Sequence, residues 1–328
     1  MSKYKVVSLF SGAGGLDLGF EKAGFEIIWA NEFDKRIWAT FEHNFPKVKL
    51  DHRSITDVQV DEIPDCDGII GGPPCQSWSE AGAGRGINDK RGQLFYDYIR
   101  ILKTKQPKFF LVENVSGLIS SRHRDSFNSF LKLFEECGYN ISWKLVNAND
   151  YDVPEDRERV IIVGIRKDLN KTYTFPEPHK KKPTLRDAIG DLPEATPALE
   201  KNKTNGKLDI KNHEYMIGSF SSIYMSRNRV RSWDEPSFTI QAGGRQAPMH
   251  PKAPKMEKIS ANKQQFVPGH EDEYRRLSVR ECARIQTFPD SYEFLYTDVA
   301  DGYKMIGNAV PVNLAKALGK QLMKILES

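Results

Sequence analysis

The sequence has 328 residues, of which 39% are hydrophobic and 28% are charged. This composition allows a substantial buried core and excludes a disordered or a fibrous protein. The mean hydropathy is −0.55, and no apolar run reaches the roughly 20 residues of a membrane-spanning helix. Because the N-terminus also lacks the pattern of a secretory signal, we expect a cytoplasmic protein without membrane partners, acting as a monomer.

Cysteines, histidines and net charge limit the kinds of ligand that the chain is expected to bind. The four cysteines, Cys66, Cys75, Cys137 and Cys282, are widely scattered, and no Cys-x-x-Cys pair is present. The seven histidines have no zinc-like spacing relative to them. We therefore expect no bound metal and no disulfide. The formal net charge of +4 permits nucleic-acid binding without requiring it.

Short apolar runs alternate with amphipathic stretches over the first 165 residues, which predicts an α/β fold. The predicted strands are Tyr4–Phe10, Glu26–Asn31, Cys66–Gly71, Lys108–Glu113, Tyr139–Val146 and Arg159–Arg166. The predicted helices are Gly14–Ala23, Leu94–Lys103 and Asp125–Cys137. A mostly parallel, twisted sheet covered by helices accounts for this order.

The composition changes after about Phe175, where prolines, lysines and asparagines follow one another with little periodicity. Short apolar runs mixed with Gly, Pro and Arg then predict a smaller, loop-rich domain. The last stretch, Pro311–Leu326, has leucines at helical spacing and is expected to pack back on the first domain. We therefore assign residues 1–176 and 303–328 to the first domain and residues 177–302 to the second.

A glycine-rich loop, Phe10–Gly15, follows the first predicted strand and opens a helix. Glycines let the backbone approach a ligand at the positive end of a helix. A dinucleotide-binding fingerprint would have its third glycine where Asp17 stands. A carboxylate there disfavours a pyrophosphate and suits a cationic group, while Glu32, at the end of the second strand, can bind both ribose hydroxyls. A ribose, a cation and no diphosphate indicate S-adenosylmethionine; the alternative is a purely structural turn.

The segment GGPPCQSWS, residues 71–79, places Cys75 in a proline-stiffened loop after a buried strand. Ligands bind at the carboxyl ends of strands in parallel sheets. Since a free thiol is only a few per cent ionised at neutral pH, a nucleophilic Cys75 needs a nearby cation, dipole or base. Glu113 ends the next core strand, where partial desolvation would let it donate a proton; the alternative is a helix-capping acid.

Arg157 and Arg159 stand two residues apart where the last predicted strand of the first domain opens. A spacing of two on a strand puts both side chains on one face, where they could bind a base carbonyl or a phosphate. The alternative is a solvated, charged edge.

Seven ordered motifs resemble those of the bacterial DNA (cytosine-5) methyltransferases of type II restriction–modification systems. They appear in the order of that family and extend over the whole chain. The motifs are LFSGAGG at 9–15, NEFD at 31–34, GGPPCQSWS at 71–79, ENV at 113–115, DRER at 156–159, RRLSVRECARIQTFPD at 275–290 and GNAVPVNLAKAL at 307–318.

The resemblance implies a Rossmann-like methyltransferase domain and a smaller target-recognition domain. It implies that a methyl group passes from S-adenosylmethionine to C5 of a cytosine in double-stranded DNA, leaving S-adenosylhomocysteine. Cys75 is then expected to attack C6 of a base that has left the duplex, and Glu113 to protonate or hydrogen-bond N3. Arg159 is expected to contact the cytosine O2, and Arg157 to support the thiolate loop and a phosphate.

The resemblance also implies two sets of binding residues. The expected cofactor-binding residues are Phe10, Gly12, Gly14, Gly15, Leu16, Asp17, Glu32, Phe33, Ser54, Pro74, Asn308 and Val310. The expected DNA-binding residues are Ser79, Arg91, Arg227, Arg229, Arg231, Gln241 and Arg245. The segment from Ser79 to Arg91 is expected to act as a lid over the flipped base.

Two positions depart from the family pattern. Glu155 stands where the family usually has glutamine, and we expect it to add negative charge near the base. Ser54 aligns with the acid that binds the adenine amino group, and a hydroxyl is a weaker acceptor than a carboxylate. Asp51 could substitute for that acid if the loop is shifted.

The segment from Asn212 to Pro254 closely resembles the recognition region of GGCC-specific enzymes. Arg227, Arg229 and Arg231 alternate on a predicted extended segment, so we expect them to face one groove, and arginine reads guanine through its O6 and N7 atoms. Phosphate contacts alone are the alternative. The resemblance therefore implies GGCC as the site, protected from a partner restriction endonuclease.

Three other functions are considered. An RNA cytosine methyltransferase of the same fold would be expected to have a different recognition segment. An inactive DNA-binding relative would most readily have lost the thiol or the acid, and both Cys75 and Glu113 are present. A dinucleotide-dependent oxidoreductase does not fit Asp17 and leaves the Pro-Pro-Cys motif unexplained.

Overall fold

The computed structural model describes residues 4–74 and 90–328, with the side chains of 90–92 left undescribed. The chain divides into two compact units. The first contains residues 1–147, 158–177 and 314–328, and the second contains residues 148–157 and 178–313. The sequence-based division placed 148–157 and 303–313 in the first domain, whereas their contacts lie with the second unit.

The first unit is built on a seven-stranded sheet with the order β3-β2-β1-β4-β5-β7-β6 in the described residues. Its strands are β1 Lys5–Leu9, β2 Glu26–Asn31, β3 Lys49–Asp51, β4 Gly68–Gly71, β5 Phe109–Val115, β6 Tyr139–Asn147 and β7 Glu158–Arg166. The strands from β3 to β5 pair in parallel, and β7 pairs antiparallel with both β5 and β6. The predicted mostly parallel α/β sheet is confirmed.

The strand order brings the loops of interest to one edge of the sheet. The order reverses between β1 and β4, because β2 and β3 lie on one side of β1 while β4 and β5 lie on the other. The carboxyl ends of parallel strands on the two sides of such a switch point border one crevice. The loops after β1, β2 and β4 therefore open at the same edge as the end of β5.

Helices with apolar faces pack against this sheet. The helices that belong to this unit are α1 Gly15–Ala23, α2 Lys35–Asn44, α3 Lys90–Lys105, α4 Arg124–Glu136 and most of α8 Val312–Glu327. Phe95 and Tyr98 of α3 and Phe130 and Phe134 of α4 share one hydrophobic core with strand residues such as Phe110. Burial of this apolar surface is the main stabilising contribution, at about 25 cal/mol per Å².

Two glycines allow β4 to pack closely against its neighbours. An added Cβ on Gly68 would lie 2.0 Å from the ring of Phe109, and one on Gly71 would lie 2.2 Å from the carbonyl oxygen of Leu9. No larger residue fits at either position without moving β1 or β5. The chain that leads into the Pro-Pro-Cys segment is therefore held tightly at the centre of the sheet.

The second unit contains little regular structure. Its helices are α5 Leu185–Ile189, α6 Val279–Ile285 and α7 Val299–Asn308, and its strands are β8 Thr196–Pro197, β9 Glu214–Tyr215, β10 Glu257–Ser260 and β11 Lys263–Gln265. Tyr224, Val230, Met249 and Tyr274 belong to a small core of its own. A parallel bridge joins Val230 to Met249, so this core fixes two recognition segments next to each other.

Helix α8 begins at Val312 in the second unit and belongs to the first unit from Leu314 onwards. In the first unit its backbone accepts hydrogen bonds from side chains, since Tyr173 Oη donates to Leu318 O at 3.1 Å, Lys171 Nζ donates to Leu326 O at 3.1 Å and Tyr4 Oη donates to Leu326 O at 3.4 Å. An added Cβ on Gly319 would lie 2.9 Å from Cβ of Ala23, so α8 approaches α1 closely.

The structure adds two elements to the sequence-based assignment of the first unit and changes the end of one strand near the site. The helix α2 and the short strand β3 had not been predicted, and β5 continues two residues past Glu113 to Val115. Glu113 therefore lies within the strand, paired with Ile161 of β7, and does not end it.

None of the helices in the described part of the chain has the length and the apolar character that a membrane span needs.

Candidate active site and recognition segment

The glycine loop after β1 contains residues with positive φ angles, a conformation that glycine adopts readily. Phe10, Gly12 and Gly14 all have positive φ angles, at 54°, 55° and 77°. Gly14 is the N-cap of α1, and an added Cβ on Gly12 would meet no atom within 4 Å. The loop thus presents open backbone at the amino end of a helix, while Gly15 and Leu16 are buried in the first turn.

The carboxylate of Glu32 is fixed beside this loop. Its Oε2 accepts the Gly12 N–H at 2.9 Å, and its Oε1 accepts the Asp34 N–H at 2.7 Å. Both donors are backbone amides, so the carboxylate is fixed by the main chain on either side of it. Two hydrogen bonds at the ends of β1 and β2 therefore hold an acidic group in a defined orientation at the switch point.

Phe33 follows Glu32 and is 70% exposed, which is unusual for so large an apolar side chain. An exposed aromatic ring next to a ribose-binding carboxylate suits a stacked adenine. Together with the open glycine loop, these residues fit the adenosine part of S-adenosylmethionine. The other predicted cofactor residues are an exposed Pro74 after β4 and, in the second unit, an exposed Asn308 and a buried Val310; their role stays a prediction.

From its sequence position Asp17 is expected to be a carboxylate that faces a ligand, whereas in the structure its side chain is enclosed. Its side chain is 0% exposed, and neither carboxyl oxygen has a hydrogen-bond partner in the described residues. Burial raises the pKa of Asp17 to about 7, although the nearby Ser8 hydroxyl opposes this shift. The group is therefore enclosed behind the loop and is partly protonated at neutral pH.

The two candidate acceptors after β3 differ in the partners that already bind their oxygen atoms. The Asp51 carboxylate accepts hydrogen bonds from Arg53 Nε at 3.1 Å and Arg53 Nη2 at 2.7 Å. These bonds hold the pKa of Asp51 below its ordinary value. Ser54 Oγ instead lies 2.8 Å from Thr56 Oγ1 and is half-buried. Because Asp51 is committed to Arg53, its substitution for the missing acid is not supported, and Ser54 stays the predicted contact.

Glu113 forms an ion pair that the sequence did not predict. Arg159 Nε lies 2.8 Å from Glu113 Oε1, and each side chain is 12% exposed. The register of the sheet accounts for this pair. Arg159 of β7 lies opposite Val115 of the antiparallel β5, and Glu113 is two residues before Val115 on the same face of β5, so Glu113 and Arg159 are diagonal neighbours. A guanidinium that is already bound to the acid can hold both side chains in place around one small ligand.

The start of the Pro-Pro-Cys segment is attached to the same strand. Asn114 Nδ2 donates to the carbonyl of Pro73 at 2.9 Å, and both groups are buried. An added Cβ on Gly72 would lie 3.2 Å from Glu113 Oε2. The backbone just before Cys75 therefore runs beside the Glu113 carboxylate. Asn114 was not singled out from the sequence except as part of the ENV motif.

Three predicted residues cannot be placed. Cys75 and Ser79 lie outside the described residues, as does the side chain of Arg91. Their roles as nucleophile, lid and DNA contact stay predictions. Among the described residues no cluster of histidine, cysteine or acidic side chains could hold a metal ion.

Arg157 has a different position from the one predicted. It precedes β7, belongs to the second unit and is 1% exposed. Its guanidinium donates to the carbonyl oxygens of Ile240 at 3.1 Å, Gly307 at 2.8 Å and Ala309 at 3.0 Å. The predicted phosphate contact is therefore wrong, because the group is enclosed and bound to two backbone segments, one at Ile240 and one at 307–309. The shared strand face with Arg159 is also wrong, because Arg157 precedes β7.

Glu155 is also bonded to other residues of the second unit. It is fully buried, and its Oε1 accepts the Ile240 N–H at 2.6 Å and lies 3.5 Å from Arg157 Nη1. We had expected this residue to add negative charge near the base. Since it is enclosed and paired with a buried guanidinium, it instead anchors the segment that leads to Gln241.

The three alternating arginines do not share one orientation. Arg227 is exposed, whereas Arg229 is 6% exposed, donates to the carbonyls of Tyr224 and Ile223, and lies over the Tyr224 ring. Burial lowers the pKa of Arg229. The expectation of one common face is wrong, because Tyr224 draws the middle arginine into the core of the second unit.

Arg231 is engaged in ion pairs of its own. It lies 3.0 Å from Asp156 and 3.3 Å from Glu235 and packs over the Phe238 ring. Gln241 and Arg245 are exposed, the latter in a short 3-10 turn, Gly244–Gln246. Of the predicted DNA-contacting side chains in this unit, Arg227, Gln241 and Arg245 are therefore the accessible ones.

Comparisons with known proteins place these features in a family context. The model of the family described as C-5 cytosine-specific DNA methylase matches residues 4–324. The chain is 59% identical to the type II methyltransferase M.FnuDI of Fusobacterium nucleatum, over 98% of this chain and 95% of that protein. It is 57% identical to M.NgoPII of Neisseria gonorrhoeae, over 98% and 96%. Solved structures include a DNMT2 variant of Spodoptera frugiperda, with 20% identity, a TM-score of 0.70 and coverage of 99% and 100%. The last likeness concerns the fold.

The buried carboxyl group of Asp17 leads to a prediction about stability. Its pKa of about 7 lies above the ordinary value of 3.8, so the folded chain binds this proton more tightly than the unfolded chain. Stability is therefore lost as the pH rises from about 4 to about 7. We expect Asp17→Asn to raise the free energy of unfolding by up to about 4 kcal/mol at pH 8 and by only about 1 kcal/mol at pH 4.5.

Urea unfolding of both proteins at the two pH values measures this difference. Asp61→Asn, at an exposed acid of the same unit, is the control and should show no such dependence. An Asp17→Asn variant that is equally destabilised at both pH values would count against an enclosed, partly neutral carboxyl group.

Proposed function

We propose a specific reaction for this chain, which belongs to the C-5 cytosine-specific DNA methylase family. The chain is a C5 cytosine-specific DNA methyltransferase of the type II kind. The finer proposal is that it methylates a cytosine within GGCC in double-stranded DNA, using S-adenosylmethionine, and protects that site from a partner endonuclease. We further propose that it acts as a monomer in the bacterial cytoplasm.

The arrangement around Glu113 is the observation that supports this reaction most strongly. Glu113 is bound to Arg159 at 2.8 Å, and Asn114 holds the backbone that leads to Cys75. An acid, a fixed guanidinium and the backbone at residues 72–73, two residues before Cys75, thus lie together at the carboxyl edge of the sheet. This set can bind the N3 and O2 edge of a cytosine while a sulfur atom approaches C6.

The chemistry requires the base to become nucleophilic at C5. The Cys75 thiolate forms a bond to C6, and the electron pair of the C5=C6 double bond moves to C5 as Glu113 hydrogen-bonds or protonates N3. S-adenosylmethionine supplies the methyl group that C5 accepts. A base from the solvent then removes the C5 proton, the electron pair of that C–H bond re-forms the C5=C6 double bond, and the C6–sulfur bond breaks to return the thiolate. N3 gives its proton back to Glu113 in the same step, which restores the acid.

The other cysteines are poor candidates for this nucleophile. Burial raises the pKa of Cys66 to about 12 and raises the pKa values of Cys137 and Cys282 as well. A thiol that stays protonated at neutral pH does not attack an electrophile. Of the four cysteines in the sequence, Cys75 is the one that remains for this role.

The cofactor is proposed to lie at the switch point of the sheet. Glu32 would hold the ribose hydroxyls and Phe33 would stack on the adenine, with Gly12 and Gly14 allowing close approach of the backbone. Ser54 would meet the adenine edge in place of the usual acid. Sequence discrimination is proposed to come from Arg227 and Arg245, supported by their exposure and by the likeness of this segment to GGCC-specific enzymes.

Bisulfite sequencing of DNA from cells that express the chain tests the site and the modified base together. We expect protection of one cytosine in every GGCC and of no other cytosines. Methylation at a different sequence would overturn the GGCC proposal, and the absence of protected cytosines would overturn the reaction.

Replacing Cys75 by serine is expected to abolish methyl transfer to DNA. A hydroxyl at this position is not ionised at neutral pH and cannot form the bond to C6. Incorporation of tritiated methyl groups into a GGCC duplex measures this, with cofactor binding retained as a sign of correct folding. Cys66→Ser is the matched control and should keep activity. Turnover by Cys75→Ser would remove this residue from its role.

Replacing Glu113 by glutamine is expected to lower the methylation rate by roughly two to four orders of magnitude, the usual loss when a general acid is removed. Single-turnover kinetics with saturating cofactor measures the chemical step. Glu158→Gln, at an exposed acid on the neighbouring strand, should leave the rate unchanged. Equal rates for Glu113→Gln and the unmodified chain would make Glu113 a structural residue.

Replacing Arg227 by alanine is expected to cost about 1–3 kcal/mol in binding and to relax the choice at one base pair. Competition binding with the set of singly altered GGCC duplexes measures both effects. Arg186→Ala, at an exposed arginine of the same unit that pairs with Asp234, should keep the original preference. A uniform loss of affinity over all duplexes would instead identify Arg227 as a phosphate contact.

A further inference from the structure

We propose that Asp17 raises the affinity of this chain for the positively charged methyl donor relative to that for the neutral product, because its enclosed carboxyl group loses its proton when the donor binds at the glycine loop. The proposal rests on the cofactor site proposed above. S-adenosylmethionine carries a sulfonium, an ammonium and a carboxylate, with one net positive charge, whereas S-adenosylhomocysteine has no net charge.

The first support is the enclosure of Asp17. The residue lies in the first turn of α1, directly after the loop, and is 0% exposed. Its two oxygens and the hydroxyl oxygens of Ser8 and Ser11 are all buried without a hydrogen-bond partner in the described residues. An ionised carboxylate in such an enclosure costs several kcal/mol unless a partner offsets it.

The second support is the sign of the charges that act on Asp17. The largest charge effects come from Glu21 on the same helix and from Glu32 at the end of β2, and both oppose ionisation. The opposing influences are the Ser8 hydroxyl of β1 and the backbone of the first helical turn. Without a cation among these groups, burial keeps the pKa near 7, where a small change in charge alters the protonation state strongly.

The third support is the position of the loop. The amide of Gly12 is bonded to Glu32, and Gly14 is the N-cap of the helix whose first turn contains Asp17, so this loop connects the proposed ribose-binding carboxylate to the turn that encloses Asp17. A positive charge held at about 4–6 Å favours an ionised carboxylate by one to three pKa units. A cationic donor at this loop therefore lowers the free energy of the ionised form, and the neutral product does so to a smaller extent.

The linkage has a definite direction with pH. The donor binds better to the ionised form, so its affinity relative to that of the product rises as the pH passes through about 7. Below this pH the free chain holds the proton, and donor binding releases it to the buffer. If binding lowers the pKa by one unit, the affinity ratio of donor to product increases about fivefold between pH 6 and pH 8.

Titration calorimetry tests this with the whole chain. S-adenosylmethionine and S-adenosylhomocysteine are each titrated at pH 6.5 to 7 in two buffers with different ionisation enthalpies, which gives the number of protons released. We expect the donor to release a substantial fraction of one proton more from the unmodified chain than from Asp17→Asn. For the product the two proteins should differ little. Protons contributed by Glu32 or by the amino group of the ligand are released in both proteins, so they cancel in the difference between the unmodified chain and Asp17→Asn.

Asp61→Asn is the control, since Asp61 is an exposed acid of the same unit and is not among the groups whose charge acts on Asp17. It should keep the extra proton release and the pH dependence of the affinity ratio. Equal proton release by the unmodified chain and Asp17→Asn, or an affinity ratio that depends on pH in the same way in both, would overturn the proposal.

A second measurement does not depend on the folding of any variant. Infrared difference spectra of the unmodified chain labelled with carbon-13 aspartate should show loss of a protonated carboxylic acid band when the donor binds and a smaller loss with the product. An unchanged band would overturn the proposal. Failure of both ligands to bind would instead count against the cofactor site itself, so the two proposals fail in different ways.

Discussion

The reversal of strand order between β1 and β4 is the constraint on which the candidate site depends. It opens the sheet at the carboxyl ends of these strands, so that loops from distant parts of the sequence meet there. Close packing of Gly71 against Leu9 fixes where the Pro-Pro-Cys segment leaves the sheet. The antiparallel pairing of β5 with β7 then supplies the ion pair between Glu113 and Arg159. Each part of the proposed chemistry follows from this edge.

Burial separates the arginines of the family motifs into two groups. Arg157 and Arg229 are enclosed, and their donors are used by backbone carbonyls of the second unit. Arg227 and Arg245 are exposed, and they are the arginines proposed to contact DNA. A guanidinium has five donors in a fixed fork, which makes it equally suited to tying loops together and to reading a guanine. In a unit with little regular structure, the buried guanidinium groups fix the loops, and the fixed loops hold the exposed arginines that are proposed to read guanine.

The sequence predicted the sheet and the location of the site better than the partners of each side chain. Apolar runs such as Phe109–Val112 are readable because they are continuous, whereas β3 is three residues long and α2 carries a mixed pattern, so both were missed. The ion pair of Glu113 depends on register, and the carbonyl partners of Arg157 are up to 152 residues away in the chain. Local patterns contain neither kind of information. The enclosure of Asp17 is likewise a property of packing.

The temporary bond between sulfur and the pyrimidine ring is the central claim, and trapping tests it most directly. Duplexes that contain 5-fluorocytosine at either cytosine of GGCC are incubated with the chain and S-adenosylmethionine, because fluorine at C5 cannot be removed as a proton is. The account predicts a denaturation-resistant complex at one of the two positions, with the modified nucleotide on the peptide that contains Cys75. Absence of any such complex, from a preparation that methylates the unmodified duplex, would contradict it.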